Sequence, residues 1–444
     1  MLGSLARAPS AGLRLWAARK AADRALHAAA LRGAADDPYV LARLGLHPLA
    51  LEHDAHDEAA AFGQLLAKTT LGRIGALREA GPLDSKKSLL LARALAPHAP
   101  SAALKYLADE DRCARAACLI AAGRLSDRSL LRPDEEVDAE SSAILAHIAA
   151  KRGDALAARK HINRIFEWSA LSEPLDLDDE PVTLDAFQRR VLLPRDGPKV
   201  SVIVPFHDAA DTLETAVCSL TGQSWRDLEI VLIDDRSTDD GAALAARLAA
   251  DDPRIRPITN DRAPGAYGAR NAGVDVATGD YVTFLDADDW SPAERIARQM
   301  DSLAKGGTIS IANHIRIDEG GAPVAPRVFP LVRMVPITML LQREALIAAG
   351  PFEEVETGAD SEMFARLEML HGKSEVRRDR AVLLVARWRT GSLSEAREGG
   401  VFGGERLAYR SDWMFRHAGL EPPALASSAQ HTQVTLNSGE GTRN

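Results

Sequence analysis

Between residues 200 and 290, four short β-branched runs alternate with stretches whose apolar residues recur at helical spacing, and nothing else in the chain constrains its fold as strongly. The runs are VSVIVPF at 200–206, LEIVLIDD at 228–235, IRPIT at 255–259 and YVTFLDADD from 281. Each reads as a strand. After the first, Asp211 and Glu214 form an N-capping pair ahead of Leu213, Ala216, Val217 and Leu220 on one helical face. After the second, Leu244 and Leu248 mark another helix; a third surrounds Arg270 to Val276. After the fourth comes Ser291-Pro292-Ala293-Glu294, a capping box with proline at the first helical position. This order predicts an α/β domain with a mostly parallel, right-handed wound sheet. Ligands of such a sheet bind at the carboxyl ends of its strands.

A chain of 444 residues exceeds what one hydrophobic core usually supports, so a second domain is expected. Residues 1–171 are rich in Ala, Leu and Arg, with apolar positions three and four apart and breaks at Gly81-Pro82, Pro97 to Pro100, Gly123 and Gly153-Asp154. They predict an all-α domain of helical hairpins, and 144–166 resembles one tetratricopeptide-type hairpin. The prolines and acids of 172–199 predict a linker to an α/β domain at 200–395. A helical extension is expected at 396–422, and 423–444, made of Ser, Thr, Gln, Asn and Gly, has the composition of a disordered tail.

The net charge of -9 argues against a nucleic-acid partner, which needs a basic face. Cys113, Cys118 and Cys218 show no zinc spacing and read as reduced and buried, in keeping with a cytoplasmic protein. No window is apolar over the 18 to 20 or so residues that a membrane span needs. Near the N-terminus Arg7, Arg14, Arg19, Lys20, Arg24 and Arg32 face the single acid Asp23 among leucines. Two readings fit this segment. It is either the first helix of the helical domain or a basic amphipathic helix making peripheral contact with an anionic membrane. A protein contact through the helical domain is a further expectation.

Asp286, Asp288 and Asp289 crowd the end of the fourth strand. Carboxylates so close cannot all stay ionised unless a cation or donor offsets them, and Mg²⁺ or Mn²⁺ suits one or two carboxylates plus phosphate oxygens. Asp234-Asp235 ends the neighbouring strand beside Pro205-Phe206-His207-Asp208, where a carboxylate can accept the ring N–H of a uracil. Read singly, each cluster is also compatible with a solvated turn.

Together, VSVIVPFHDAADTLETAVCSLTGQSWRDLEIVLIDDRSTDDG and RAPGAYGARNAGVDVATGDYVTFLDADDW resemble the nucleotide-binding half of the family 2 glycosyltransferases, whose fold is GT-A, over about residues 200–395. The resemblance implies an inverting transfer from a nucleotide-sugar to a sugar or glycolipid acceptor, with Mn²⁺ or Mg²⁺ as cofactor. It implies that Pro205 and His207 line the base and ribose pocket, with His207 standing where tyrosine is common, and that Asp235 recognises uracil. Asp286 and Asp288 become the Asp-x-Asp pair: Asp288 binds the metal, and Asp286 is shared between ribose and metal. Arg270 and Asn271 lie beside the donor. In GPFEEVETGADSEMFARL at 350–367 the general base is Asp360, preceded by Ala359 where the family has an acid, with Glu362 as the fallback. In ARWRTGSLS at 386–394, Arg389 replaces a histidine and becomes a diphosphate contact, since a guanidinium cannot ligate a cation; Trp388 reads as core.

Rival functions fit less well. A nucleotidyltransferase needs a glycine-rich basic loop after the first strand, and PFHDAADT is not one. Gly265, Gly268 and Gly273 do not make a dinucleotide fingerprint. A processive synthase carries membrane spans and a Gln-x-x-Arg-Trp motif, and Arg387-Trp388 stands in neither context. An inactive scaffold acting through its helical domain remains the alternative from another class. Acceptor choice falls to 314–336.

Overall fold

The computed structural model describes residues 37–79, 82–188, 190–389 and 404–418. The basic segment at 1–32, the Gly-Ser turn at 391–392 and the tail at 423–444 lie outside them. The described helices of the N-terminal part run from Pro38–Leu44 to Ala155–Glu167, followed by an α/β part. This is the predicted fold class.

The strands are β1 (Val200–Phe206), β2 (Leu228–Asp234), β3 (Ile255–Thr259), β4 (Tyr281–Phe284), β5 (Ile309–Ile317), β6 (Pro323–Val324), β7 (Arg333–Met334), β8 (Leu340–Gln342) and β9 (Val376–Arg387). They form one sheet in the order β3-β2-β1-β4-β8-β5-β6, with β7 and β9 also paired to β5. The first four are mutually parallel, as their spacing predicts; β8 then runs antiparallel to β4. All seven residues of β1 are buried, because helices cover both faces. The helix Ala266–Val276 lies so close to the sheet that a Cβ on Gly273 would sit 2.6 Å from the Ile203 side chain. Glycine there lets the helix that carries Tyr267 and Arg270 rest directly on β1 and β2.

The two parts share a core. Phe166 from the last N-terminal helix and Phe187 close on Trp290, with ring centroids 6.1 and 5.2 Å from it, and Ile144, Ile162 and Ile165 pack with Val382 and Val385 of β9. The proline-rich segment expected as a linker contributes to the same core through the buried Leu175, Val182, Leu184 and Phe187. Arg159 holds it by donating to the carbonyls of Asp176 and Glu180, both at 2.9 Å. Gly153-Asp154 turns the predicted hairpin, Ala139–Lys151 against Ala155–Glu167, and Asp154 caps the second helix. The helix Gly404–Ala418 places Trp413, Met414 and Phe415 in one cluster with Leu41, Leu46 and Phe62 of the N-terminal helices.

Three local expectations are corrected. The first α/β helix starts at Leu213 without a side-chain cap; the Ala209 carbonyl takes the N–H groups of Thr212 and Leu213 instead of Asp211 and Glu214 forming a capping pair. The Ser291 to Glu294 segment stays outside its helix, which begins at Arg295. The Pro292 and Ala293 carbonyls are taken by Gln223 and Ser224, and Glu294 accepts from the Ser172 N–H at 2.8 Å. Cys218 is exposed, whereas Cys118 is buried and burial pushes its thiol up to about 12.

Candidate functional site

The carboxyl ends of β1, β2 and β4 open into a cleft of about 1140 Å³. The strand order reverses at β1, so the chain leaves β1 and β4 in divergent directions and a crevice forms there. The parallel register sets Phe206 beside Asp234. Leu285 still donates to the Ile203 carbonyl at 3.1 Å, so Asp286 leaves the sheet beside the last residues of β1.

Pro205, His207 and Asp235 line one end of this cleft. His207 is held through Nδ1 against the Asp235 carbonyl at 2.8 Å, and its ring is 58% exposed, leaving a face open to the cleft. The Asp235 carboxylate accepts from Asn260 Nδ2 and from the Gly265 N–H, both at 2.6 Å. These bonds fix its orientation, and a carboxylate has acceptor capacity for one more donor. Asp208, with φ 44°, accepts from the Thr238 N–H at 2.6 Å and ties the loop after β1 to the loop after β2. That bond, foremost, holds its carboxyl below the usual range.

Asp286, Asp288 and Asp289 are separated by environment. Asp289 is buried; burial first, then the neighbouring acids, push its carboxyl well up, and it accepts from the Arg387 N–H at 3.1 Å. Trp290 and Val385 exchange backbone hydrogen bonds of 2.9 and 2.8 Å, which clamp the acidic loop to β9. Asp286 and Asp288 remain in the cleft, their side chains 39% and 37% exposed. Asp286 accepts from Arg270, whose guanidinium lies 5.0 Å over the Tyr267 ring. Burial opposes the Arg270 charge, but Asp286 foremost, with Tyr267 and Asp360, offsets that and the net direction is up. Asp288 takes Arg389 Nη2 at 3.3 Å. Burial and then Asp286 push its carboxyl up, with Arg389 acting the other way. Two hard oxygen donors under mutual repulsion fit one divalent cation whose other ligands come from phosphate and water. Among the described residues no cluster of three such ligands exists.

Asp360 lines the same cleft, at the start of the helix Ala359–His371. Gly358 enters this helix with φ 94°, a left-handed backbone that favours glycine. Tyr267 donates its O–H to Asp360 at 3.1 Å and accepts the Gly358 N–H at 3.1 Å. The acid therefore sits in a fixed rotamer, linked through Tyr267 to the helix that also carries Arg270.

Some expected residues lie elsewhere. Asn271 is buried, and its amide bridges the Phe352 N–H and carbonyl, both at 2.9 Å; it does not line the cleft. Glu362 is enclosed and paired with Arg366 and His417 at 2.7 and 2.6 Å, so it has no access to a substrate proton. Trp388, expected in the core, is half-buried in the cleft wall with Arg316 5.4 Å over its ring. The sequence reading missed Tyr267 and Asn260. Tyr267 had a signal, since it precedes Arg270 by one helical turn; Asn260 had none, because its contact with Asp235 crosses between strand ends.

Comparison with known proteins follows the same span. Residues 201–352 match the family model described as glycosyl transferase family 2. Over 124 residues the chain is 44% identical to the GalNAc(5)-diNAcBac-PP-undecaprenol beta-1,3-glucosyltransferase of Campylobacter jejuni, covering 28% of this chain and 40% of the relative. Over 101 residues it is 37% identical to the Escherichia coli UDP-Glc:alpha-D-GlcNAc-diphosphoundecaprenol beta-1,3-glucosyltransferase WfaP, covering 23% of this chain and 39% of that one. The chain thus spans well under half the length of these curated relatives. A solved structure of S. aureus TarS 1-349 in complex with UDP-GlcNAc matches with 17% identity and a TM-score of 0.37, over 49% of this chain and 71% of that one.

Proposed function

We propose that this chain, whose residues 201–352 match the model of glycosyl transferase family 2, transfers a single sugar from a UDP-sugar to an acceptor hydroxyl with inversion. The observation that carries this is the gathering, in one cleft, of Asp286 and Asp288 at the end of β4 and an Asp360 oriented by Tyr267. Asp360 accepts the acceptor's hydroxyl proton as that oxygen attacks the anomeric carbon, because a neutral hydroxyl is a poor nucleophile. The new C–O bond forms on the face opposite the bond to phosphate, whose electron pair departs with UDP. Asp235, His207 and Pro205 hold the base and ribose. Asp288, with Asp286 shared toward the ribose, would hold Mn²⁺ or Mg²⁺, which supplies positive charge for the departing diphosphate. Arg389, already beside Asp288, faces the same leaving group.

The names of the two curated relatives support an acceptor used in bacterial surface polysaccharide or glycoconjugate assembly. No helix among the described residues is long and apolar enough to cross a membrane. The undecaprenol-linked acceptors in the names of those relatives support a cytoplasmic enzyme with peripheral contact at the inner face. Nucleotide release from a panel of UDP-, GDP- and dTDP-sugars, with and without Mn²⁺, tests the proposal. UDP release that needs both metal and an intact Asp360 is expected. Turnover that survives both Asp288→Asn and Asp360→Asn would overturn it.

A further inference from the structure

The cleft also gathers a second set of cations, from parts of the chain outside the β1, β2 and β4 loops. Arg316 of β5, Arg327, Arg333 of β7, Arg406 and Arg410 of the C-terminal helix, and His47 at the start of an N-terminal helix line the cleft together. Among the described residues, no carboxylate lies within ion-pair distance of Arg316, Arg333, Arg406 or Arg410. Arg316 keeps Nη1 buried without a partner while the Trp388 ring covers it. Arg410 donates to the Leu44 carbonyl, at 3.0 Å through Nη2, and lies over Trp413. Burial first, then the charges of Arg316, Arg327 and Arg406, push Arg333 down to about 10. An acidic chain that gathers Arg316, Arg333, Arg406 and Arg410 in a concave, half-buried space, with no ion-pair partner among the described residues, suits an anion there, since buried charge is otherwise costly.

The partners of these arginines distinguish them from the donor-side pair. Arg270 and Arg389, on the donor side, are each paired with an acid of the β4 loop. Arg406 lies beside the proposed base: its Cγ is 3.8 Å from the place a Cβ on Gly358 would take, two residues before Asp360. The planar fork of arginine matches phosphate oxygens better than a point charge does. We propose that this arginine cage binds a phosphate or diphosphate ester carried by the acceptor and thereby presents the acceptor's hydroxyl to Asp360. The proposal rests on the transferase reading above for its acceptor, but not for its anion. It also gives the helical N-terminal part a role, since His47 and the Leu44 anchor of Arg410 belong to it.

The test uses the full chain and inorganic phosphate, titrated calorimetrically with and without saturating UDP and Mg²⁺. Phosphate binding that persists under saturating UDP is expected, weakened at least tenfold in both Arg406→Gln and Arg333→Gln, with circular dichroism checking that each is folded. Complete displacement by UDP, or wild-type affinity in both variants, overturns the proposal. Transfer is then compared among one sugar as a prenyl diphosphate, as a soluble 1-phosphate and as a neutral alkyl glycoside. A hundredfold higher kcat/KM for the phosphorylated forms is expected, and the two forms distinguish a lipid-linked from a soluble source; equal use of the neutral glycoside overturns the proposal. Should no donor turn over while phosphate still binds as predicted, the transferase reading falls and the anion site stands.

Discussion

Tyr267 and Asp360 stand 93 positions apart in the chain, yet the phenol of one donates to the carboxylate of the other at 3.1 Å. The same phenol oxygen accepts from Gly358, and the ring supports Arg270. One tyrosine thus connects the acid proposed as base with the arginine that holds Asp286. Tyr267→Phe keeps the ring and removes the hydroxyl. A hydrogen bond to a charged group contributes about 1.5–3 kcal/mol. The expected result is a kcat lower by roughly ten- to hundredfold, with donor KM changed less than threefold. Steady-state UDP release measures both, and an unchanged kcat would show that Asp360 needs no positioning from Tyr267.

Asp286 and Asp288 should part company under the same substitution. Asp286→Asn leaves the buried Arg270 guanidinium without its carboxylate, whereas Asp288→Asn releases an Arg389 whose side chain is 41% exposed. Removing one partner of a buried pair costs about 3–5 kcal/mol; discounted for the partial exposure of Asp286, about 2 kcal/mol remains. A fall in Tm of several degrees is therefore expected for Asp286→Asn, and little for Asp288→Asn. Metal-stimulated turnover should fall in both, most in Asp288→Asn. Calorimetric scans of the two proteins decide this; equal Tm values would mean that Arg270 does not depend on Asp286.

What the sequence made legible was what local pattern encodes. The β-branched runs located β1, β2 and β3 to within a residue, and the acids at strand ends located the cleft, because a parallel sheet places its strand termini together. Contacts across long separations were not legible. Nothing in 172–199 announces that its few apolar residues, Leu175, Val182, Leu184 and Phe187, fill a shared core, because proline and acid dominate its composition. Motif position also misled where burial decides role. Asn271 and Glu362 stand beside cleft residues in sequence, but each projects into the protein, where its polar atoms are consumed by partners. The arginines of the second set in the cleft come from segments up to about 90 residues apart in the chain, and no spacing rule gathers them.

Asn271 supplies a test of that distinction. Its side chain bridges both backbone groups of Phe352, whose ring packs edge-on against Phe284 with centroids 5.3 Å apart. Asn271→Ala leaves a buried N–H and a buried carbonyl without partners, at about 1–3 kcal/mol each. The expected outcome is a clear loss of stability in urea unfolding with donor KM within twofold of wild type. A large rise in KM at unchanged stability would instead return Asn271 to the donor site.

Acid should destabilise the fold through two histidines. Burial, reinforced by Arg316 and Arg333, pushes His314 down to about 3, and burial with Arg410 pushes His47 down to about 4. Unfolded, both titrate near 6.5. Between those values the unfolded chain binds protons that the folded chain refuses, so stability rises with pH through the window and is lost as pH falls from about 6.5 toward 4. Each histidine contributes at most about 1.4 kcal/mol per pH unit. His314 sits on β5, its Nδ1 2.8 Å from the Arg333 carbonyl, so His314→Gln can keep a donor there while removing the titration. The variant should start less stable at pH 7.5 and lose less on acidification than wild type. Chemical unfolding at half-unit steps from pH 7.5 to 5 reads the two slopes. Parallel slopes would mean that His314 is protonated as easily in the folded protein as in the unfolded chain, and that the acid response of this fold comes from elsewhere.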